Sequence, residues 1–133
     1  MIIYEQHPEF IEWAERRIGW ELEPFGTLAQ EVGGRIEAVV VFENRKFDGC
    51  EISFATRSPK WQSRRFIKAV FAYVFNQIGM KRVTLLIMED NIKSWNLAER
   101  LGFTREGVIR RASNGRDLYI YGMLKEECRW IAK

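Results

Sequence analysis

The chain has 133 residues, 47% apolar, 14% aromatic and 29% charged, the make-up of one globular domain over 1–133, since single domains run roughly 100 to 200 residues. Twenty-one Lys and Arg against eighteen Asp and Glu leave +3, and the excess is local, because residues 57–68 (RSPKWQSRRFIK) hold five bases and no acid. Two well-separated cysteines and one histidine exclude a disulfide framework, a CxxC knuckle and most zinc sites, and no signal peptide or run of about 18 apolar residues occurs, so a cytoplasmic protein with reduced thiols, no metal and no membrane contact is expected.

From Pro8, a favoured first-turn residue, Phe10, Ile11, Trp13, Ala14 and Ile18 share one helical face and Gly19 can supply the left-handed stop, which predicts a helix over 8–18. Three β-rich runs follow, TLAQEV, RIEAVVVFENRKF and CEISFAT, separated by the turn pairs Gly33-Gly34 and Asp48-Gly49, and they read as a meander. The period then changes from two to 3.6: Phe66, Ile67, Val70, Phe71, Val74, Phe75 and Ile78 form a broad apolar stripe ending at Gly79. RVTLLIM suits a strand covered on both faces, giving strand, helix, strand with a right-handed parallel crossover. Asp90 or Asn91 can cap a further helix that carries Trp95, Leu97, Ala98 and Leu101 and stops at Gly102. GVIRRAS and RDLYIYGML flank Asn114-Gly115, a strong hairpin signal. The fold class is therefore α/β, with a sheet antiparallel at both ends and parallel in the middle.

In such sheets ligands bind beyond the carboxyl ends of the parallel strands, where the following helices point free N–H groups and positive dipole ends. That edge is loaded here. CEISFAT runs into Arg57, Ser58, Pro59, Lys60, Trp61, Gln62, Ser63, Arg64 and Arg65 at a helix start, an arrangement that favours a phosphate or pyrophosphate. The plain alternatives are a solvated basic helix face or a diffuse nucleic-acid patch. Beside it lie Glu89, Asp90 and Asn91, with Ser94 one turn on, so that one elongated ligand could be held between the two edges. Asn91 is also explained as a helix cap alone. His7 connects to no nucleophile and reads as structural.

The run NIKSWNLAERLGFTREGVIRR, followed by Asn114-Gly115, Asp117 and LYIYGMLKEE, resembles the C-terminal half of the GNAT N-acetyltransferases, in particular the branch of the ribosomal-protein N-terminal acetyltransferases and small phage-encoded relatives. Asn91, Leu101-Gly102-Phe103, Glu106-Gly107 and Arg110 carry the likeness, which extends back through FAYVFNQIGMKRVTLLI and covers roughly residues 50–127. It implies the GNAT fold, with acetyl-CoA as cosubstrate in a cleft where two central parallel strands splay apart, and transfer of the acetyl group to a primary amine.

On that resemblance the cosubstrate contacts are Ala55, Thr56, Lys60, Trp61, Gln62, Ser63, Arg64, Arg65 and Asn91, with a backbone N–H near Ala55 meeting the thioester oxygen and Trp61 beside the basic loop available for stacking on adenine. The family's pyrophosphate loop, Q/R-x-x-G-x-G/A, aligns on Ser58, Trp61 and Ser63, and the family's frequent tyrosine acid falls at Ala98. Ser94 or a water would then meet the leaving thiolate, and Glu51 matches a carboxylate that serves some members as general base. The N-terminal region, with Glu5, Glu9, Glu12, Glu15, Glu21 and Glu23 against Arg16 and Arg17, reads as an acceptor side suited to a cationic amine. Nucleic acid is not expected as a partner, and a homodimer is compatible with the sequence. The alternative from another class is a catalytically inactive module of the same shape that binds a protein or nucleic acid through 57–68.

Overall fold

The computed structural model describes residues 1–132. In chain order the elements are β1 (Ile2–Ile3), α1 (Pro8–Ile18), β2 (Gly26–Val32), β3 (Arg35–Lys46), β4 (Gly49–Thr56), α2 (Arg64–Ala72), β5 (Arg82–Met88), α3 (Ile92–Leu101), β6 (Thr104–Ser113) and β7 (Arg116–Leu124). The strands form one seven-stranded mixed sheet in the order β1-β2-β3-β4-β5-β7-β6, parallel only between β4 and β5. This is the α/β architecture expected from the periodicity, and among the described residues no helix is long and apolar enough to cross a membrane.

Period-two alternation places the two layers of the core. Ala38, Val40 and Phe42 of β3 pack with Phe66, Val70, Phe71, Val74 and Phe75 on the α2 face, whereas Val39 and Val41 pack with Phe10, Ala14 and Leu22 on the α1 face. At about 25 cal/mol per Å² of apolar surface these aliphatic and aromatic side chains supply most of the folding drive. After Ala72 the α2 axis widens into a π turn over Tyr73–Gln77, closed by the Ile78 N–H donating to the Tyr73 carbonyl at 2.8 Å. Gly79 then ends it with φ 86°, as the apolar stripe predicted.

The second meander turn differs from expectation. Lys46 pairs with Gly49, so the turn residues are Phe47 and Asp48, and Phe47 rather than Gly49 takes positive φ, at 56°. Gly49 serves close approach instead: a Cβ there would lie 2.6 Å from Cγ of Arg82 on the neighbouring strand. The short β1, which pairs Ile2 and Ile3 with β2, had no signal long enough to read.

What positions the site is the divergence of the two parallel strands. β4 and β5 are in register only over Gly49–Glu51 and Arg82–Thr84. Beyond that β4 stays paired to β3, through Ala38 opposite Thr56, and β5 stays paired to β7, through Met88 opposite Leu118. The facing backbone edges of residues 52–56 and 85–88 therefore have no strand between them.

Candidate functional site

The splay opens a cavity of about 740 Å³, floored by Ile52 to Thr56 and Leu85 to Met88 and walled by Asn91, Ser94, Leu97 and Ala98 of the α3 region. Its opposite mouth is formed by Arg17 in the last turn of α1, by Trp20 just after it, and by Asn114 and Arg116 of the β6–β7 hairpin. A second cavity of about 880 Å³, between the loop after β4 and α3, shares Thr56, Ser94 and Leu97 with the first, so the two form one channel. Arg57, Lys93 and Arg100 line this outer part against a single carboxylate, Glu99, which accepts the Tyr121 hydroxyl proton at 2.6 Å. The outer channel is thus cationic, and the inner channel offers unpaired strand backbone.

Two helix starts flank the channel. The Asn91 side chain caps α3, its Oδ1 accepting from the Ser94 N–H at 3.3 Å, which confirms it as the cap while it also lines the inner cavity. Ser63 caps α2 by accepting from the Phe66 N–H at 3.1 Å. The first two N–H groups of the helix, on Arg64 and Arg65, remain available to an anion. Upstream, Ser58 Oγ donates to the buried Glu37 carboxylate at 2.9 Å and accepts from the Lys60 N–H at 3.3 Å.

The structure brings Ala55, Thr56, Asn91 and Ser94 onto the inner channel and Trp61 and Gln62 onto the outer one. Lys60, Ser63, Arg64 and Arg65 line neither. A 3-10 turn over Pro59–Trp61 swings Lys60 to the exterior, Ser63 is occupied as a cap, and Arg64 lies over the Trp130 ring at 5.7 Å. Trp61, where the family pattern has glycine, is 2% exposed. Its ring turns inward between Phe54 (5.5 Å) and Phe66 (6.3 Å) and offers no open face for stacking. The bulky side chain therefore leaves the anion-facing side of the loop free.

Glu51 falls outside the channel lining. It pairs with Thr84 at the closed end of the splay, where the strands are still in register, two residues below Ser53. The expected acidic acceptor side is also not built: none of Glu5, Glu9, Glu12, Glu15, Glu21 and Glu23 lines the channel. Glu12, Glu15 and Glu21 border a shallow groove that adjoins the inner mouth at Gly19 and Trp20, because α1 buries Phe10 and Ala14 against the sheet and turns its glutamates outward. The charged groups at the inner mouth are Arg17, Asp90 and Arg116, of which the last two form an ion pair at 3.0 Å. Arg17 escaped the motif-based reading, although Trp13 four residues earlier, whose ring it covers at 3.8 Å, was a readable cue. Cys50 and Cys128 are buried, and burial pushes the Cys50 thiol up to about 12. Among the described residues no three His, Cys, Asp or Glu side chains converge as metal ligands.

Over residues 3–104 the sequence matches the family described as an acetyltransferase (GNAT) domain. No curated protein matches it. Among solved structures it superposes on a GNAT-family acetyltransferase from Bacillus anthracis with a TM-score of 0.62 and 21% identity, covering 77% of this chain and 66% of that one. It also matches a spermidine N-acetyltransferase mutant from Vibrio cholerae (0.64, 18%, covering 76% and 64%) and a chimera of that enzyme with hSSAT (0.71, 14%, covering 95% and 97%). These likenesses show a shared fold. The chain spans 62% to 66% of the length of the first three solved structures it matches.

Proposed function

Because the chain belongs to the GNAT acetyltransferase family, we propose that it transfers an acetyl group from acetyl-CoA to a primary amine, as a member of the ribosomal-protein N-terminal acetyltransferase-like branch. The observation that carries this reading is the continuous channel: an inner cleft with unpaired β-strand backbone joined at Thr56, Ser94 and Leu97 to a cationic outer part. Acetyl-CoA is the cosubstrate of GNAT domains and supplies the acetyl group as a thioester. The residues present fit it, since the free edge of residues 52–56 can hydrogen-bond the amides of a pantetheine arm, while Arg57, Lys93 and Arg100 suit phosphates.

The chain's own groups then divide the work. Backbone N–H near Ala55 polarises the acyl carbonyl. Ser94, which lines the inner cavity at the positive end of α3, is the group we assign to the leaving thiolate, and a thiol departs without a strong acid, so Ala98 in place of a tyrosine does not stop the reaction. The attacking ammonium must first lose a proton. Glu51, at the closed end of the splay and off the channel lining, is the carboxylate we assign to accept it, through water.

Calorimetric titration with acetyl-CoA tests the reading, together with thiol release against a panel of amines. Saturable binding should weaken with salt and with Lys93→Glu plus Arg100→Glu, more than with Arg64→Glu plus Arg65→Glu, whose side chains lie off the channel. Absence of binding at millimolar acetyl-CoA overturns it. A partner captured through 57–68 without turnover of any amine selects the inactive binding module instead.

A further inference from the structure

Two guanidiniums share one aromatic ring, Arg17 from the inner mouth and Arg57 from the outer channel. Arg17 lies 3.8 Å and Arg57 5.8 Å from the centroid of Trp13. Among the described residues the ion pairs are Arg82–Glu106, Arg105–Glu99 and Arg116–Asp90, so neither of these arginines has a carboxylate partner. Arg57 is partly tied down, its Nε donating to the Ile36 carbonyl at 3.0 Å. Arg17 is not. Its pKa is lowered, first by partial burial and then by the charges of Arg57 and Arg16, as expected for a cation crowded by cations. A guanidinium braced on a ring and held beside like charges keeps a planar, unfilled pair of donors, the geometry that a carboxylate satisfies.

The surroundings point the same way. Arg17 lines the inner cavity, where Asp90, the only carboxylate among the described residues that line it, is occupied by Arg116, and the glutamates of the N-terminal region do not line it. The hairpin tip contributes Ser113 and Asn114, neutral hydrogen-bonding groups. Inside the cavity a polyamine would meet Arg17 and Arg116, with glutamates only in the groove that adjoins the mouth at Gly19 and Trp20. We propose that Arg17, braced by Trp13, binds a carboxylate carried by the acceptor near its amine, so that the acceptor is an amino acid or an acidic peptide N-terminus rather than a polyamine. This rests on the transferase reading and deepens it.

The test compares acetyl-CoA turnover with a Ser-Glu-initiated peptide amide, the matching Ser-Gln peptide amide, free L-serine and spermidine, in the wild type and in Arg17→Glu and Arg17→Lys. Binding of the same compounds to the CoA-loaded protein is measured in parallel by calorimetry. A carboxylate-bearing acceptor should exceed the Ser-Gln peptide and spermidine by roughly tenfold or more in kcat/KM, the scale of one charge-assisted contact. Preference for L-serine identifies the α-carboxylate as the group bound, and preference for the Ser-Glu peptide identifies the side chain. Arg17→Glu should abolish that preference with the KM for acetyl-CoA unchanged, and Arg17→Lys, which keeps the charge and the fold, should restore part of it. Preference for spermidine, an unchanged ratio in Arg17→Glu, or a loss of acetyl-CoA affinity instead overturns the proposal and leaves the transferase standing. If no amine turns over, the transferase reading fails, and Arg17-dependent binding of a carboxylate-bearing compound, present or absent, decides the anion site alone.

Discussion

Trp61 stands where the family's loop has a small residue, and its 2% exposure explains how the loop tolerates it. A side chain directed into the Phe54–Phe66 cluster adds core without crowding the anion side. Trp61→Ala should therefore cost about 3 to 5 kcal/mol of stability, as large-to-small changes in a packed core do, and urea unfolding measures it. Were Trp61 mainly a stacking surface, stability would hold and acetyl-CoA affinity alone would fall. Asn91 poses the converse case, since one side chain both caps α3 and lines the inner cavity. Asn91→Asp should keep the cap, whereas Asn91→Ala should lower stability by about 1 kcal/mol and weaken acetyl-CoA binding beyond that loss. Equal affinity in the two variants would reduce Asn91 to a cap. Glu51→Gln should lower kcat/KM by roughly 100-fold, the scale of general-base loss, while acetyl-CoA affinity stays. Normal turnover would leave the proton to solvent, an outcome that a mouth bearing Arg17 and Arg116 favours by holding the amine neutral.

At the level of elements, helix and strand order could be read because each buried face imposes its own period: 3.6 for the Phe66 to Ile78 stripe, two for β3. Stops at Gly19, Gly79 and Gly102 were legible for the same local reason, as all three take positive φ. Asp48-Gly49 misled because glycine is also chosen for close approach, here to Arg82, and only the neighbouring strand reveals it. The site was less legible than the fold. Motif spacing reached Thr56 at the end of β4 and Asn91 and Ser94 at the start of α3, but could not say which of the bases at 57–68 face the channel, since that depends on a 3-10 turn and on Ser63 capping α2. Arg17 comes from a distant helix and enters the mouth only through tertiary packing. Ser63 gives an element-scale prediction. If its hydroxyl is spent on the Phe66 N–H at 3.1 Å, Ser63→Ala should lose about 1 kcal/mol of stability with little change in acetyl-CoA affinity. A large affinity loss at constant stability would make it a phosphate ligand instead.

Across the whole molecule, several groups are held in their neutral form by the fold. Burial raises the Cys50 thiol to about 12 from 9.0, with Arg45 opposing and Glu51 adding to the shift. Burial likewise raises Tyr73, against the pull of Arg45. Tyr121 is raised by burial first and then by its hydrogen bond to Glu99, against the Arg105 guanidinium. For each, the folded chain keeps its proton to higher pH than the unfolded chain, so between the two pKa values the native state binds more protons and stability falls as pH rises. The contribution is complete below the unfolded value of 9.0 for Cys50 and is lost on approaching about 12. Urea midpoints should accordingly be level near neutrality and decline steadily above about pH 9, the ordinary range for thiol ionisation. Cys50→Ala isolates one group: it should be less stable at neutral pH, because it leaves a small cavity, yet its decline with alkalinity should be shallower than that of the wild type. Parallel declines in the two proteins would mean that Cys50 titrates no differently when folded, and that the alkaline loss belongs to Tyr73 and Tyr121.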